Sequence, residues 1–251
     1  MREEDDAFKL VLYDNPYQRY RALVGFAGFA GLTTAKRRFS TIDWLMATLP
    51  EAMGPPLGLG DAIGALERAC TDRFSRLGLP VAERPLIVIL AGFYLHPTMR
   101  NYPFLAIVTN CHADDASQSD TVSPTFRSFS TVSQPQRRRS RYKITVCRGN
   151  LAAVYSRHSS WLHLRRVFRK RNLRRQAKIA LAVRFIREVA ADPVGTGVIG
   201  TNCLSGALTE GGNAYGDAWY VDDRATRTVM PHFVNADGAV MANLTVVRRR
   251  Q

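Results

Sequence analysis

Apolar and polar residues alternate over the first forty positions in a way that predicts a β-hairpin. Residues 8–14 and 21–30 have the period of two strands, and Asn15-Pro16-Tyr17 supplies turn chemistry between them. Lys9 stands at the start of the first strand, where an exposed edge lysine is the ordinary interpretation. Gly25, Gly28 and Gly31 punctuate the end of the second, and a bulge or bend at a sheet edge explains them equally well.

Helical periodicity follows in two pairs of segments. Residues 41–50 carry one apolar stripe after a cap at Ser40 or Thr41, and Pro50 is expected to close that helix. Residues 61–77 predict a second helix, capped by Asp61 and ended by Gly78. The later pair is expected at 160–171 and 174–191, the second with an apolar face fit for burial.

The other apolar segments are short and typical of strands. Residues 85–94 and 104–109 predict adjacent buried strands, and further strands are expected at 125–132, 142–147, 151–155, 197–208, 217–221 and 238–247. Blocks of consecutive strands therefore alternate with pairs of helices. This order predicts an α+β fold with two stacked, mainly antiparallel sheets between helix pairs, a four-layer αββα sandwich.

The composition is typical of a globular protein and favours one cellular compartment. With 251 residues, 46% hydrophobic and 22% charged, the chain is expected to form a single domain over 1–251, with disordered ends at 1–7 and 248–251. The acidic start and the short apolar runs predict no secretory signal and no membrane span. Four scattered cysteines favour a reducing compartment, so we expect a cytoplasmic protein.

Charge raises one alternative function. The formal net charge is +14, and seven of the eleven residues in 165–175 are Lys or Arg. A nonenzymatic binding module for nucleic acid or an acidic partner would use these side chains. The segment has a single aromatic residue rather than the several interleaved aromatics of a single-strand binding platform, and it also fits a solvated helix face. The residues of this alternative are Arg165, Arg166, Arg169, Lys170, Arg171, Arg174 and Arg175.

Metal and cofactor motifs do not emerge. The metal-capable side chains at 111–115 crowd into one polar loop without the spacing of a closed site, so a solvated loop is the preferred interpretation and no metal is predicted. The chain has no phosphate-binding P-loop motif, and no cofactor is expected.

Two segments together carry a family resemblance. FKLVLYDNPYQRYRALVGFAGFAG, followed by the first helix pair and the strands ILAGFYL and FLAIVTN, resembles a proteasome β-type N-terminal nucleophile (Ntn) hydrolase. The helix RRQAKIALAVRFIREVAADP, leading into GTGVIGTNCLSGAL, is similar to the corresponding part of bacterial proteasome-like proteins. The resemblance covers most of the chain by order and spacing.

The resemblance implies a threonine-type peptidase that cleaves peptide amides by acyl transfer, and it implies roles for particular residues. Lys9 matches the family lysine that manages the nucleophile's proton, and Gly28 matches the glycine that donates to the oxyanion. Phe26 would line the base of the pocket for the substrate side chain. The remaining implied residues are Gly25 and Ala30 for substrate binding and Ser159, Ser160 and Thr196 for possible support of the site.

The chain departs from the family at its nucleophile. The resemblance implies a first strand carrying an N-terminal Thr, Ser or Cys before Lys9, and only eight residues precede Lys9. We therefore expect an N-terminally incomplete or inactive form, with a peptide substrate only for a longer active form. The resemblance also implies a homo-oligomeric ring.

Overall fold

The computed structural model describes residues 9–33, 38–94, 101–112, 121–131, 157–168, 174–193, 203–208, 214–219, 227–229, 232–241 and 245–247. The chain is mixed α+β, as predicted. The strands expected at 142–147 and 151–155, and the disordered ends expected at 1–7 and 248–251, lie outside these residues.

The described elements follow the predicted order of strands, helix pair, strands, helix pair and strands. They are β1 (Leu10–Asn15), β2 (Tyr20–Gly28), β3 (Gly31–Thr33), β4 (Arg38–Ser40), α1 (Thr41–Met53), α2 (Leu59–Ser75), a 3₁₀ turn (Val81–Glu83), β5 (Leu86–Tyr94), β6 (Tyr102–Cys111), β7 (Val122–Ser130), α3 (His158–Phe168), α4 (Arg175–Ala190), β8 (Cys203–Leu208), β9 (Ala214–Trp219), β10 (Arg227–Val229), β11 (His232–Asn235), β12 (Val240–Met241) and β13 (Thr245–Val247).

Two sheets hold most of these strands. The main sheet has the order β12-β11-β1-β2-β5-β6-β7, and all its neighbours are antiparallel except β1 and β11. The second sheet has the antiparallel order β13-β10-β9-β8. The strand expected over 238–247 is wrong as one element, because β12 pairs in the main sheet and β13 in the second.

The predicted β1–β2 hairpin is confirmed. Asn15 Oδ1 accepts a hydrogen bond from the Gln18 backbone N–H at 3.0 Å, which closes the turn. Arg19 adopts the left-handed region at φ 54°, and the register then pairs Asn15 with Tyr20 and Leu10 with Gly25. The side chain that ends the first strand therefore also shapes the turn.

The first helix pair forms, with two corrections. Ser40 caps α1 through a 3.3 Å bond from the Asp43 N–H, but Pro50 lies inside the helix, which continues to Met53. The tertiary contacts of the last turn offset the cost of the proline. α2 begins at Leu59 after Gly58, so Asp61 is not its cap and lies in the first turn instead.

α1 and α2 cover one face of the main sheet, and this helix-covered face forms the core. Asn15 Nδ2 and Tyr20 Oη both donate to the Met53 carbonyl oxygen, at 2.9 and 2.6 Å, which ties the hairpin to the end of α1. The buried strand side chains on this face are Val11, Tyr13, Tyr20, Ala22, Val24, Phe26, Leu86, Val88, Leu90, Phe104, Ala106, Val108, Phe126 and Val234.

The second helix pair is associated with the second sheet. α4 contacts β8, and β8 contacts β1 and β2 of the main sheet. α3 packs on α4 through Leu164, Phe185 and Val189, with the Trp161 and Phe185 ring centroids 5.8 Å apart. Ile186 of α4 is 40% exposed and lies outside the seam with α3, so the apolar face expected for burial is not buried over its whole width.

Candidate functional site

Lys9 lies at one end of the main sheet. Its ammonium nitrogen is 5.8 Å from the centroid of the Phe26 ring, a cation–π contact, and the residue is exposed. Because neighbouring strands are antiparallel, the start of β1, the end of β2, the start of β5 and the end of β6 meet here. We call this region the Lys9 end of the sheet.

Phe26 is a core residue on the helix-covered face. Its side chain is 7% exposed and belongs to the same cluster as Val24 and Val88. The structure therefore gives Phe26 a packing role, and its place at the base of a substrate pocket stays a prediction. Lys9 lies next to Phe26 across the hairpin, so the lysine is at the rim of this same face.

Gly28 is required by the backbone. Its φ is +96°, and a Cβ at this position would collide with the Pro85 carbonyl oxygen. The Phe29 N–H donates to that same oxygen at 2.6 Å. A close approach of β2 to the start of β5 thus explains the glycine without a substrate, and its oxyanion role stays a prediction.

Gly25 and Ala30, the predicted substrate-binding neighbours of Gly28, differ in their backbone contacts. Gly25 pairs with Leu10, and a Cβ there would meet the Lys9 carbonyl oxygen at 3.4 Å, so this position is less constrained than Gly28. The Ala30 carbonyl oxygen accepts a bond from the Thr41 N–H at 2.9 Å, which links the end of β2 to the start of α1. Both residues lie within a few positions of Gly28, as the sequence requires.

The residues predicted to support the site are only partly described. Ser159 and Ser160 are in the first turn of α3, the first exposed and the second half-buried, and no hydrogen bond joins either to Lys9. Thr196 lies outside the described residues. Within the part of the chain that the structure describes, the Lys9 ammonium has no hydroxyl, thiol or carboxylate as a hydrogen-bond partner.

The basic segment is only partly described. The Arg165 guanidinium lies 5.9 Å from the Trp161 ring centroid, and Arg166 and Arg174 are exposed. Arg169, Lys170, Arg171 and the side chain of Arg175 lie outside the described residues. The nucleic-acid surface therefore stays a prediction.

Comparisons of this chain with protein-family models, curated proteins and solved structures found no match. The described helices include none with the length and apolar character needed to cross a membrane. Among the described residues, no group of three or more His, Cys, Asp or Glu side chains is arranged to hold a metal ion.

Two polar residues at the Lys9 end were not singled out from the sequence. Asn110 is 1% exposed, and its Oδ1 accepts from the Leu86 N–H at 2.8 Å while its Nδ2 donates to the Arg84 carbonyl oxygen at 3.0 Å. Arg84 is 7% exposed. A charged residue directly before an apolar strand, and an amide at the end of FLAIVTN, were the available signals.

Two cysteines and a histidine complete the titratable groups of interest. Burial raises the pKa of the Cys70 thiol, so this cysteine stays protonated and unreactive. Burial lowers the pKa of His232, partly opposed by the Asp43 carboxylate, so the neutral imidazole is favoured. Cys111 is half-buried next to Asn110.

Proposed function

We propose that this chain is a proteasome β-type Ntn-hydrolase domain, a four-layer αββα sandwich that handles peptides as a subunit of a homo-oligomeric ring and does not cleave them through its described residues. The observation that carries the proposal is the order of connections. A hairpin leads into a helix pair on one face, then into three antiparallel strands, a second helix pair and a second sheet.

The contacts of β8 support the layering. The helix-covered face of β1 and β2 is filled by α1 and α2, since Val11 and Val24 are essentially inaccessible. The contacts of β8 with β1 and β2 fit an approach from the opposite face. Leu23, on that opposite face, is 8% exposed, as expected for a position under a second sheet. α4 on β8 would supply the outer layer.

The chemistry of the proposed cleft follows from Lys9 and Gly28. A lysine ammonium favours the deprotonated form of a neighbouring nucleophile, and an exposed glycine lets a peptide backbone approach closely. Lys9 and Gly28 occupy the same end of the sheet. Since Lys9 has no nucleophile as a hydrogen-bond partner among the described residues, we expect peptide handling without acyl transfer.

Two measurements on the purified chain test this proposal. Light scattering after size-exclusion chromatography at micromolar concentration is expected to give several copies of the 28.0 kDa chain, and a monomer would contradict the ring. Fluorogenic peptides are expected to remain intact. Hydrolysis that Lys9→Met abolishes and Lys178→Met preserves would show an active peptidase and contradict the silent site.

Lys9→Met is the informative variant because Lys9 is exposed and its loss leaves the core intact. Gly28→Ala cannot serve, since its clash with the Pro85 carbonyl would unfold the end of the sheet whatever the role of Gly28.

A further inference from the structure

Arg84 is a buried cation held in a fixed position. It follows the 3₁₀ turn, its N–H donates to the Val81 carbonyl oxygen at 3.2 Å, and its own carbonyl oxygen accepts from Asn110 Nδ2 at 3.0 Å. With 7% of the residue exposed, the side chain lies inside the Lys9 end of the sheet. The backbone N–H and carbonyl groups of Arg84 are thus both held by hydrogen bonds.

One nitrogen of the Arg84 guanidinium is buried and unsatisfied within the described residues. Arg84 Nη1 is buried and has no hydrogen-bond partner, and no carboxylate in the described ranges forms an ion pair with this side chain. The guanidinium group is a cation with five N–H donors and no acceptor. A buried charge without a partner costs so much free energy that native proteins pair it.

The neighbouring acceptors are already used. Asn110 Oδ1 accepts from the Leu86 N–H, and the Pro85 carbonyl oxygen accepts from the Phe29 N–H. The adjacent carboxylate of Glu83 is exposed and does not pair with Arg84. The described residues therefore provide no acceptor for Arg84 Nη1, and a negatively charged acceptor would both satisfy this N–H group and neutralise the guanidinium.

We propose that Arg84 is the anion-contacting residue of a binding site for a small oxyanion at the Lys9 end of the main sheet. A carboxylate or a phosphate oxyanion fits, because both can accept two parallel N–H bonds from a guanidinium. The anchored backbone of residues 84–86 pre-orients the side chain for that contact. This site does not depend on the proposed peptide-handling function, since it requires neither Lys9 nor a ring.

Thermal unfolding of the full chain in inorganic phosphate, acetate or chloride at equal ionic strength tests the site. For a probe at ten times its dissociation constant, the unfolding midpoint of the wild type is expected to rise by roughly 3–6 °C. Arg84→Met is expected to lose this rise, and Arg84→Lys to keep only part of it. Arg76→Met removes an exposed arginine and is expected to keep the full rise.

Comparing the unfolding midpoints in phosphate and in acetate identifies the kind of oxyanion that binds. A larger rise in phosphate than in acetate indicates a phosphate site, and the reverse indicates a carboxylate site. An equal rise in the wild type and in Arg84→Met would overturn the proposal, as would no rise in the wild type. The proposal would also fail if Asp114→Asn or Asp115→Asn destabilised the chain while added oxyanions had no effect, because the chain's own carboxylate would then be the counter-charge.

Discussion

On the helix-covered face of the main sheet, Val11, Val88 and Val108 are completely buried, whereas on the opposite face Ile89 is half-buried and Ala91 is exposed. The same strands contribute to both faces, so strand propensity does not explain the difference. The covered face packs against two helices and is tied to α1 through the Met53 carbonyl. We infer that the helix-covered face supplies most of the stability.

The largest expected loss of stability is at Leu90, and its neighbour Ile89 on the other face of β5 is the comparison. Leu90→Ala removes a fully buried side chain from the covered face and should lower the free energy of unfolding by about 4 kcal/mol. Ile89→Ala, on the opposite face, should cost about 2 kcal/mol or less because its site is half-buried. Urea denaturation measures the free energy of unfolding of both variants. Equal losses would contradict the difference between the two faces.

Alkaline pH should lower the free energy of unfolding through the buried tyrosines of the helix-covered face. Burial raises the pKa of Tyr20 from 10.0 to about 12 and raises that of Tyr13 as well. The folded state therefore holds protons that the unfolded state releases, and stability is fully present below pH 10 and falls as the pH rises towards 12. Tyr20 alone accounts for roughly 2–3 kcal/mol over this window.

Urea denaturation at a series of pH values measures this loss. Tyr20→Phe should make the fall shallower, because the buried phenol that titrates is gone. Tyr94→Phe, which removes an exposed hydroxyl, is the control. A wild type whose stability stays constant from pH 10 to pH 12 would contradict the assigned burial.

Asn15→Ala should destabilise the chain by about 2 kcal/mol, because it removes buried hydrogen bonds to the Met53 carbonyl and the Gln18 N–H. Gln18→Ala removes an exposed bond to the Pro56 carbonyl and should cost much less. Chemical denaturation at neutral pH compares them. If both variants lost the same free energy, the link between the hairpin and α1 would have no special importance.

Local patterns were sufficient for part of this fold. The hairpin, the capped start of α1 and the strands β5, β6 and β7 follow from alternation, turn chemistry and periodicity. Pro50 was misjudged because its local cost is outweighed by contacts that Met53 makes with a hairpin thirty residues earlier. β11 was missed because its parallel pairing with β1 joins residues more than two hundred positions apart.

The candidate site was less predictable than the fold. Gly28 could be recognised as a constrained position, but the Pro85 carbonyl that constrains it was not visible in the local sequence. Arg84 was missed because exposure is the ordinary expectation for an arginine, whereas this one is 7% exposed in the folded chain.

The smallest effect is expected on the opposite face. Arg21 and Asp14 form a partly exposed pair with bonds of 3.0 and 2.6 Å. Arg21→Met should cost about 0.5–1 kcal/mol, and less in high salt, which screens the pair. Arg76→Met removes a more exposed pair with Asp72 and should cost nothing measurable. A loss at Arg21 as large as that at Leu90 would mean that both faces contribute equally.

The proposed four-layer arrangement requires the second sheet to cover β1 and β2 but not β5. Leu23 and Ala91 are cross-strand neighbours on the opposite face, yet Leu23 is 8% exposed and Ala91 is exposed. The direct measurement is the thiol-labelling rate of Leu23→Cys and Ala91→Cys, read at each site by peptide mass spectrometry. We expect Leu23→Cys to react at least roughly 100-fold more slowly, since its labelling requires local opening. Equal rates at the two sites would contradict the stacked arrangement.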